Sequence, residues 1–178
     1  MRVISGSARG LRLESPRGSS TRPTLDRVKE AVFSMLAPRL LDARVLDLFS
    51  GSGALGIEAL SRGAAHGVFV EKSPAAVSVI KTNLERARLR ERATVVTLSY
   101  ECYLDACKDT FDIVLLDPPY AMWERADIFD RLLCADILAP GGIIIAETEG
   151  KTPLAAAGFS LIKSKRYGRV GIYLFERA

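Results

Sequence analysis

An acid, two prolines and an aromatic ring, Asp117-Pro118-Pro119-Tyr120, follow directly on the apolar run Ile113-Val114-Leu115-Leu116. The run reads as a buried strand, and nothing in a buried strand requires that tetrapeptide at its end. Handling a flat, amino-bearing ring does require it. A nucleobase amino group is a weak nucleophile because its lone pair is delocalised into the ring. Two acceptors, one for each N–H, hold such a nitrogen and favour a pyramidal geometry. Asp117 supplies a carboxylate oxygen. Pro118 supplies its backbone carbonyl, whose direction the rigid Pro118-Pro119 pair fixes. Tyr120 supplies a face on which a base stacks, worth roughly 1–3 kcal/mol. A base must leave its own stack to enter such a slot, so flipping is implied.

A second constellation lies upstream. In Asp47-Leu-Phe-Ser-Gly-Ser-Gly-Ala-Leu-Gly56, residues Gly51, Gly53 and Gly56 fit the spacing GxGxxG between a strand and a helix. Glycines let the backbone turn tightly and let a ligand approach it closely. Glu71 stands about twenty residues beyond Gly51, at the end of the next apolar run, where a carboxylate accepts hydrogen bonds from ribose hydroxyls. The pattern calls for a cofactor containing adenosine and leaves NAD and S-adenosylmethionine open. Asp47 favours the second, because an acid at that strand end welcomes a cationic methionine amino group and repels a pyrophosphate.

These residues need a scaffold that brings two strand tips together, and the rest of the chain supplies one. Residues 2–14 read as a small hairpin. Leu25, Val28, Ala31, Val32, Met35 and Leu36 recur at helical spacing, with Thr24 as N-cap and Pro38 as stop. Strands are expected at 44–49, 67–71, 93–98, 112–116 and 141–147. Helices are expected at 54–62, 74–89, in a short piece after residue 98, and at 126–138. The two runs around Tyr167-Gly168-Arg169 form a terminal antiparallel hairpin. Short continuous apolar strands between helices predict a parallel sheet covered on both faces. Ligands of such a sheet sit beyond the carboxyl ends of its strands, so the glycine loop and Asp117 to Tyr120 share one crevice.

Composition narrows the class. With 178 residues, 48% of them hydrophobic and 26% charged, the chain suits one domain with its own core. Three cysteines without CxxC spacing and a single histidine, His66, argue against a disulfide framework, a zinc site and a Ser-His-Asp hydrolase. No signal peptide and no membrane span are read, so a reduced, cytoplasmic protein is expected. The net charge of +4 is unevenly spread. Residues 1–29 hold seven basic and two acidic side chains, and the remainder 18 basic and 19 acidic ones. A positive excess confined to one segment suits a polyanionic partner, most often nucleic acid.

Together the motifs resemble a known family. Asp117 to Tyr120 after a strand, with VLDLFSGSGALG upstream, is similar to the S-adenosylmethionine-dependent amino-methyltransferases. GSARGLRLESPRGSSTRPTLDRVKEAVFSML, LDLFSGSGALGIEALSRGA and KRYGRVGIYLFE resemble the RsmD family, bacterial 16S rRNA guanine-N2 methyltransferases, nearly end to end. The resemblance implies a Rossmann-like α/β methyltransferase fold with a seven-stranded, mostly parallel sheet. It implies an RNA-contacting extension over residues 1–40 and a methyltransferase domain over 41–178. The implied substrate is 16S rRNA in an assembled or partly assembled small subunit, methylated once on the exocyclic N2 of a guanine. No metal is implied, and a monomer is expected. Asp117, Pro118 and Tyr120 are then the catalytic candidates, and Asp47, Gly51, Gly53 and Glu71 the cofactor candidates. Many methyltransferases carry an acid at the third strand's tip, facing the adenine. Here the tip reads Leu98-Ser99-Tyr100-Glu101, and Ser99 or the backbone stands in. Arg9, Arg12, Arg22, Thr24 and Arg27 are the candidate RNA contacts.

Three rivals are weighed against this reading. Against a methyltransferase acting on DNA adenine, this chain shows no obvious separate target-recognition domain; one acting on protein glutamine commonly carries Asn where this chain has Asp117. An NAD-dependent oxidoreductase leaves Asp117 to Tyr120 unexplained. A non-catalytic RNA-binding factor has no need for both motifs intact.

Overall fold

The computed structural model describes residues 1–16, 26–123 (the side chain of Tyr120 excepted), 127–149, 156 and 158–178. Its centre is a seven-stranded sheet. The strands are β1 (Arg44–Asp47), β2 (His66–Val70), β3 (Ala93–Val96), β4 (Phe111–Leu116), β5 (Leu138–Glu149), β6 (Phe159–Tyr167) and β7 (Val170–Arg177), in the order β3-β2-β1-β4-β5-β7-β6. The first five are parallel, and β7 runs antiparallel to both β5 and β6. The chain winds from β1 outward to β3 and then crosses to β4 on the other side of β1. The topological switch point therefore lies between β1 and β4, the position where such sheets bind ligands.

Helices cover both faces. On one side α1 (Asp26–Leu40), α2 (Ala54–Ser61) and α3 (Pro74–Arg86) bury Val28, Phe33, Ile57, Leu60, Ile80 and Leu84 against Val45, Ile113, Leu115 and Ile145. On the other, α4 (Tyr100–Ala106) and α5 (Ile128–Ala135) bury Tyr103, Leu104, Phe129 and Leu132 against Leu46, Val114, Leu116 and Ile144. Alternate residues of each central strand feed opposite cores, the period-two consequence of the pleat. Among the described residues, no helix is long and apolar enough to cross a membrane.

Element ends depart from the sequence expectations for identifiable reasons. Pro38 does not stop α1, which runs on to Leu40. In the last turn a proline forfeits only its own N–H bond, and the chain can complete the turn beyond it. Helix α3 ends at Arg86 rather than at residue 89, because Arg88 turns left-handed at φ +58°. Helix α5 closes at Ala135, followed by left-handed Asp136 at φ +51°, and the strand expected from residue 141 already begins at Leu138. The N-terminal hairpin is present but short: Arg2 bridges Arg12, and backbone bonds join Val3 to Leu11, Gly10 to Val3 and Leu13 to Met1. The backbone N–H groups of Ile4 and Ser5 instead donate to the Glu58 carboxylate of α2, at 2.8 and 3.0 Å.

Glu58 is the hub of that attachment. It is fully buried and pairs with fully buried Lys29 of α1 at 3.1 Å and with Arg62 at 2.7 Å. The Lys29 ammonium also donates to the carbonyl of Arg2. The N-terminal segment is thus sewn to the helix that follows the glycine loop.

Candidate active site

The glycine loop is shaped by two carboxylates from neighbouring strands. Asp47, the last residue of β1, is 2% exposed, and its Oδ2 accepts the Gly56 N–H at 3.0 Å. Glu71, just past β2, accepts the N–H groups of Gly51 at 3.0 Å and Ser73 at 2.9 Å. These bonds fix the loop against the strand tips while leaving lone pairs on the Glu71 oxygens for a ligand. Gly53 holds φ +79°, a conformation that favours glycine. A Cβ on Gly56 would stand 2.3 Å from the Phe69 ring, so only glycine lets α2 pack on β2 here. Gly51 faces open space, with nothing within 4 Å of a Cβ built there. An adenosine-bearing ligand fits that cradle.

Asn83 of α3 is the loop's third support. Fully buried, it donates to the Ser52 carbonyl at 2.9 Å and brackets the backbone of Glu14, accepting its N–H at 2.8 Å and donating to its carbonyl at 3.0 Å. The N-terminal segment is therefore tied directly to the cofactor loop.

Across the switch point, Asp117 follows Leu116 at the tip of β4. Pro118 behind it is buried, and Pro119 is exposed. A 3-10 turn, Tyr120–Met122, comes next, closed by the Met122 N–H on the Pro119 carbonyl at 2.8 Å. Trp123 stacks on Phe129 and donates through Nε1 to the Glu147 carbonyl at 3.0 Å, clamping this loop to β5. The expected stacking role of the Tyr120 ring lies outside the described residues.

The crevice gathers buried carboxyls that resist ionisation. Burial, reinforced by the charges of Asp117 and Glu71, pushes the Asp47 carboxyl up to about 7, although its bond to Gly56 works the other way. Burial pushes Asp117 up to about 6. Burial and the neighbouring charge of Asp117 push Glu147 up to about 8. Acids gathered at adjacent strand tips repel one another and disfavour ionisation. A cationic group held beside Asp47, on the glycine-loop side, relieves that acid's share of the repulsion, and a pyrophosphate there worsens it.

The other candidates are dispersed. The Ser99 hydroxyl accepts the Cys102 N–H at 3.3 Å as the N-cap of α4, which leaves the backbone at this tip for a ligand. Arg9, Arg12 and Arg27 are exposed. Arg9 sits in the turn held to Ser61, at the far end of α2 from the glycine loop. Arg27 opens α1, beside the Asp26 carboxylate that accepts from Arg2 at 2.8 Å. Arg22 and Thr24 lie outside the described residues. Sequence reasoning missed Glu58 and Asn83, whose partners in the N-terminal segment are 53 to 69 residues away. It also missed Glu147, an acid ending an apolar run just as Asp117 does.

Known proteins share this arrangement. Residues 1–176 match the family described as conserved hypothetical protein 95. YlbH of Bacillus subtilis is 38% identical over 182 residues, covering 99% of each chain. Ribosomal RNA small subunit methyltransferase D of Escherichia coli K12 is 36% identical over 179 residues, covering 99% of this chain and 90% of that one. The solved structure of yhhF from Escherichia coli superposes with a TM-score of 0.86 at 35% identity, covering 99% and 97% of the two chains. Matched by the family model over residues 1–176 and similar to these relatives over nearly its whole length, the chain belongs to the family of ribosomal RNA small subunit methyltransferase D.

Proposed function

We propose that this protein transfers a methyl group from S-adenosylmethionine to the exocyclic N2 of a specific guanine in 16S rRNA, within the small subunit or an assembly intermediate. The observation that carries the reading is the juxtaposition at the switch point. Asp117-Pro118 stands at the tip of β4, next to the glycine cradle and the acid-lined crevice of β1 and β2. The names of the relatives support rRNA as the substrate class.

The donor supplies a methyl carbon on a positively charged sulfur, open to in-line attack. The protein's part is placement and charge. Glu71 is positioned for the ribose hydroxyls, and Asp47, through the glycine loop and its own charge, favours the methionine end. Asp117 and the Pro118 carbonyl each accept one N2 hydrogen, which turns the nitrogen lone pair out of the ring and toward the methyl carbon. The C–N bond forms as the S–C bond breaks, leaving a neutral thioether and a cationic nitrogen. That nitrogen is strongly acidic and loses a proton with Asp117 alongside to orient or receive it. Acceptors aimed at charge that develops only in the transition state are where such a site gains its rate. Residues 1–40 serve as the RNA-contacting extension on a methyltransferase body of residues 41–178, with Arg9, Arg12, Arg22, Thr24 and Arg27 toward the RNA. The enzyme acts as a cytoplasmic monomer.

The test is product identity. Small subunits from cells lacking this enzyme are incubated with the protein and labelled S-adenosylmethionine, and the digested RNA is analysed by mass spectrometry. N2-methylguanosine at a single site is expected. Label in DNA or protein, or in an adenine, contradicts the reading.

A further inference from the structure

Glu147 is a buried acid with a carboxylate oxygen left unpartnered by the described residues. It is 6% exposed, and its Oε2 has no hydrogen-bond partner among the described residues. Buried polar groups are satisfied in the great majority of cases, so an orphan in a crevice points to a missing ligand. The backbone beneath it is held, since its carbonyl accepts the Trp123 indole N–H and its Cα pairs in register with Ile172 of β7.

The sheet says which ligand. Leu116 of β4 stands opposite Ala146 of β5, so the next residues along, Asp117 and Glu147, lie side by side. Strand alternation sends both to the face that takes Leu115 and Ile145. Across the strand tips the acids run Glu71, Asp47, Asp117, Glu147, in the order β2, β1, β4, β5. The glycine loop belongs to the β1–β2 side. Glu147 is on the opposite side of Asp117, where the acceptor base must enter. Guanine carries its N1–H donor immediately beside the N2 amino group. Adenine and cytosine carry a bare ring nitrogen, an acceptor, at the corresponding place. An acceptor-only carboxylate next to the amino-group acceptor therefore matches guanine alone among the amino-bearing bases.

We infer that Glu147 accepts the N1–H of the target guanine beside the grip of Asp117 on N2, and so sets the base specificity of the enzyme. The inference rests on the guanine-N2 reading above. Carboxyls raised by burial, and for Glu147 also by the charge of Asp117, fit this arrangement, because two N–H donors arriving together favour the ionised forms of both.

The experiment replaces the methylated guanine with 2-aminopurine, which keeps the amino group and lacks N1–H, in reconstituted small subunits. Wild-type protein is expected to favour guanine by about 100-fold or more in kcat/KM, since a site built to bond a donor rejects an analogue without it. Glu147→Gln offers an amide N–H to the bare N1 of 2-aminopurine, so the preference is expected to fall about tenfold or more. Its affinity for S-adenosylmethionine is expected to stay within about threefold of wild type. A wild-type preference near unity, or one unchanged in Glu147→Gln, overturns the inference while leaving guanine methylation standing. So does a large loss of S-adenosylmethionine affinity in the variant, which would place Glu147 in the cofactor site. A wild-type protein that methylates no guanine overturns the parent reading, and this one with it.

Discussion

Raising the pH of the ligand-free protein from 5 to 8 should destabilise it, and Asp47 sets the scale. Its carboxyl titrates near 3.8 in an unfolded chain and near 7 when folded. Between those values the unfolded chain has released a proton that the folded chain still holds. Stability is therefore fully present below the lower value and is lost as pH rises through the window. Within the range tested, the two pH units from 5 to about 7 at ~1.4 kcal/mol each amount to a loss of about 3 kcal/mol. Set against a typical total of ~5–15 kcal/mol, that is a large share. Glu147 and Asp117, also raised, act in the same direction. Because Asp117 repels both of the others, their contributions do not simply add. His66, lowered by burial and by Arg44, opposes the trend, because a histidine held neutral gains stability as pH rises. The assay is urea unfolding at fixed ionic strength across this range, on the wild type and on Asp47→Asn, which cannot ionise at that position. Wild-type stability should fall with pH, and the variant should show a clearly shallower decline. Stability that is flat or rising from pH 5 to 7, or an equal slope in the two proteins, would refute the burial argument. A cationic ligand should bind more tightly as pH rises through the same window, and S-adenosylhomocysteine, without the sulfonium charge, should show a weaker dependence.

Two further outcomes follow from named contacts. Glu58→Ala leaves the buried Lys29 ammonium, among the described residues, with only the Arg2 carbonyl and strips the acceptor from Ile4 and Ser5. Breaking a buried pair in this way costs about 3–5 kcal/mol, read by urea unfolding, with early amide exchange at residues 3–5. A cost under about 1 kcal/mol contradicts the hub. Arg12→Ala combined with Arg27→Ala removes two exposed cations from the proposed RNA face. The slope of log affinity against log salt for subunit binding should become shallower by roughly 1–2, with S-adenosylmethionine binding unchanged; an unaltered slope removes these residues from the interface.

The parts of the site legible in sequence were those that repeat a local physical requirement. Apolar runs ending in Asp47, Glu71 and Asp117 announced strand tips, and glycine spacing announced the turn between the first strand and its helix. Strand order was implied by the alternation, because parallel strands joined by helices wind about a switch point. What stayed hidden depends on residues far apart. Nothing near Asn83 marks it as the bracket between Glu14 and Ser52, and Glu58 looks like any acid on a helix until four donors are seen to converge on it. The helix ends misjudged in α3 and α5 rely on left-handed Arg88 and Asp136, where no glycine gives warning. Glu147 carries no motif. Its meaning comes from standing beside Asp117, which only strand register reveals.

The central claim is that the tip of β4 activates the acceptor nitrogen while the glycine loop holds the donor. Single-turnover methyl transfer by wild type and Asp117→Ala, with S-adenosylmethionine affinity measured calorimetrically on each, separates those two roles. The account predicts a transfer rate lower by about 100-fold or more in the variant, with donor affinity retained. Near wild-type transfer in Asp117→Ala would contradict it.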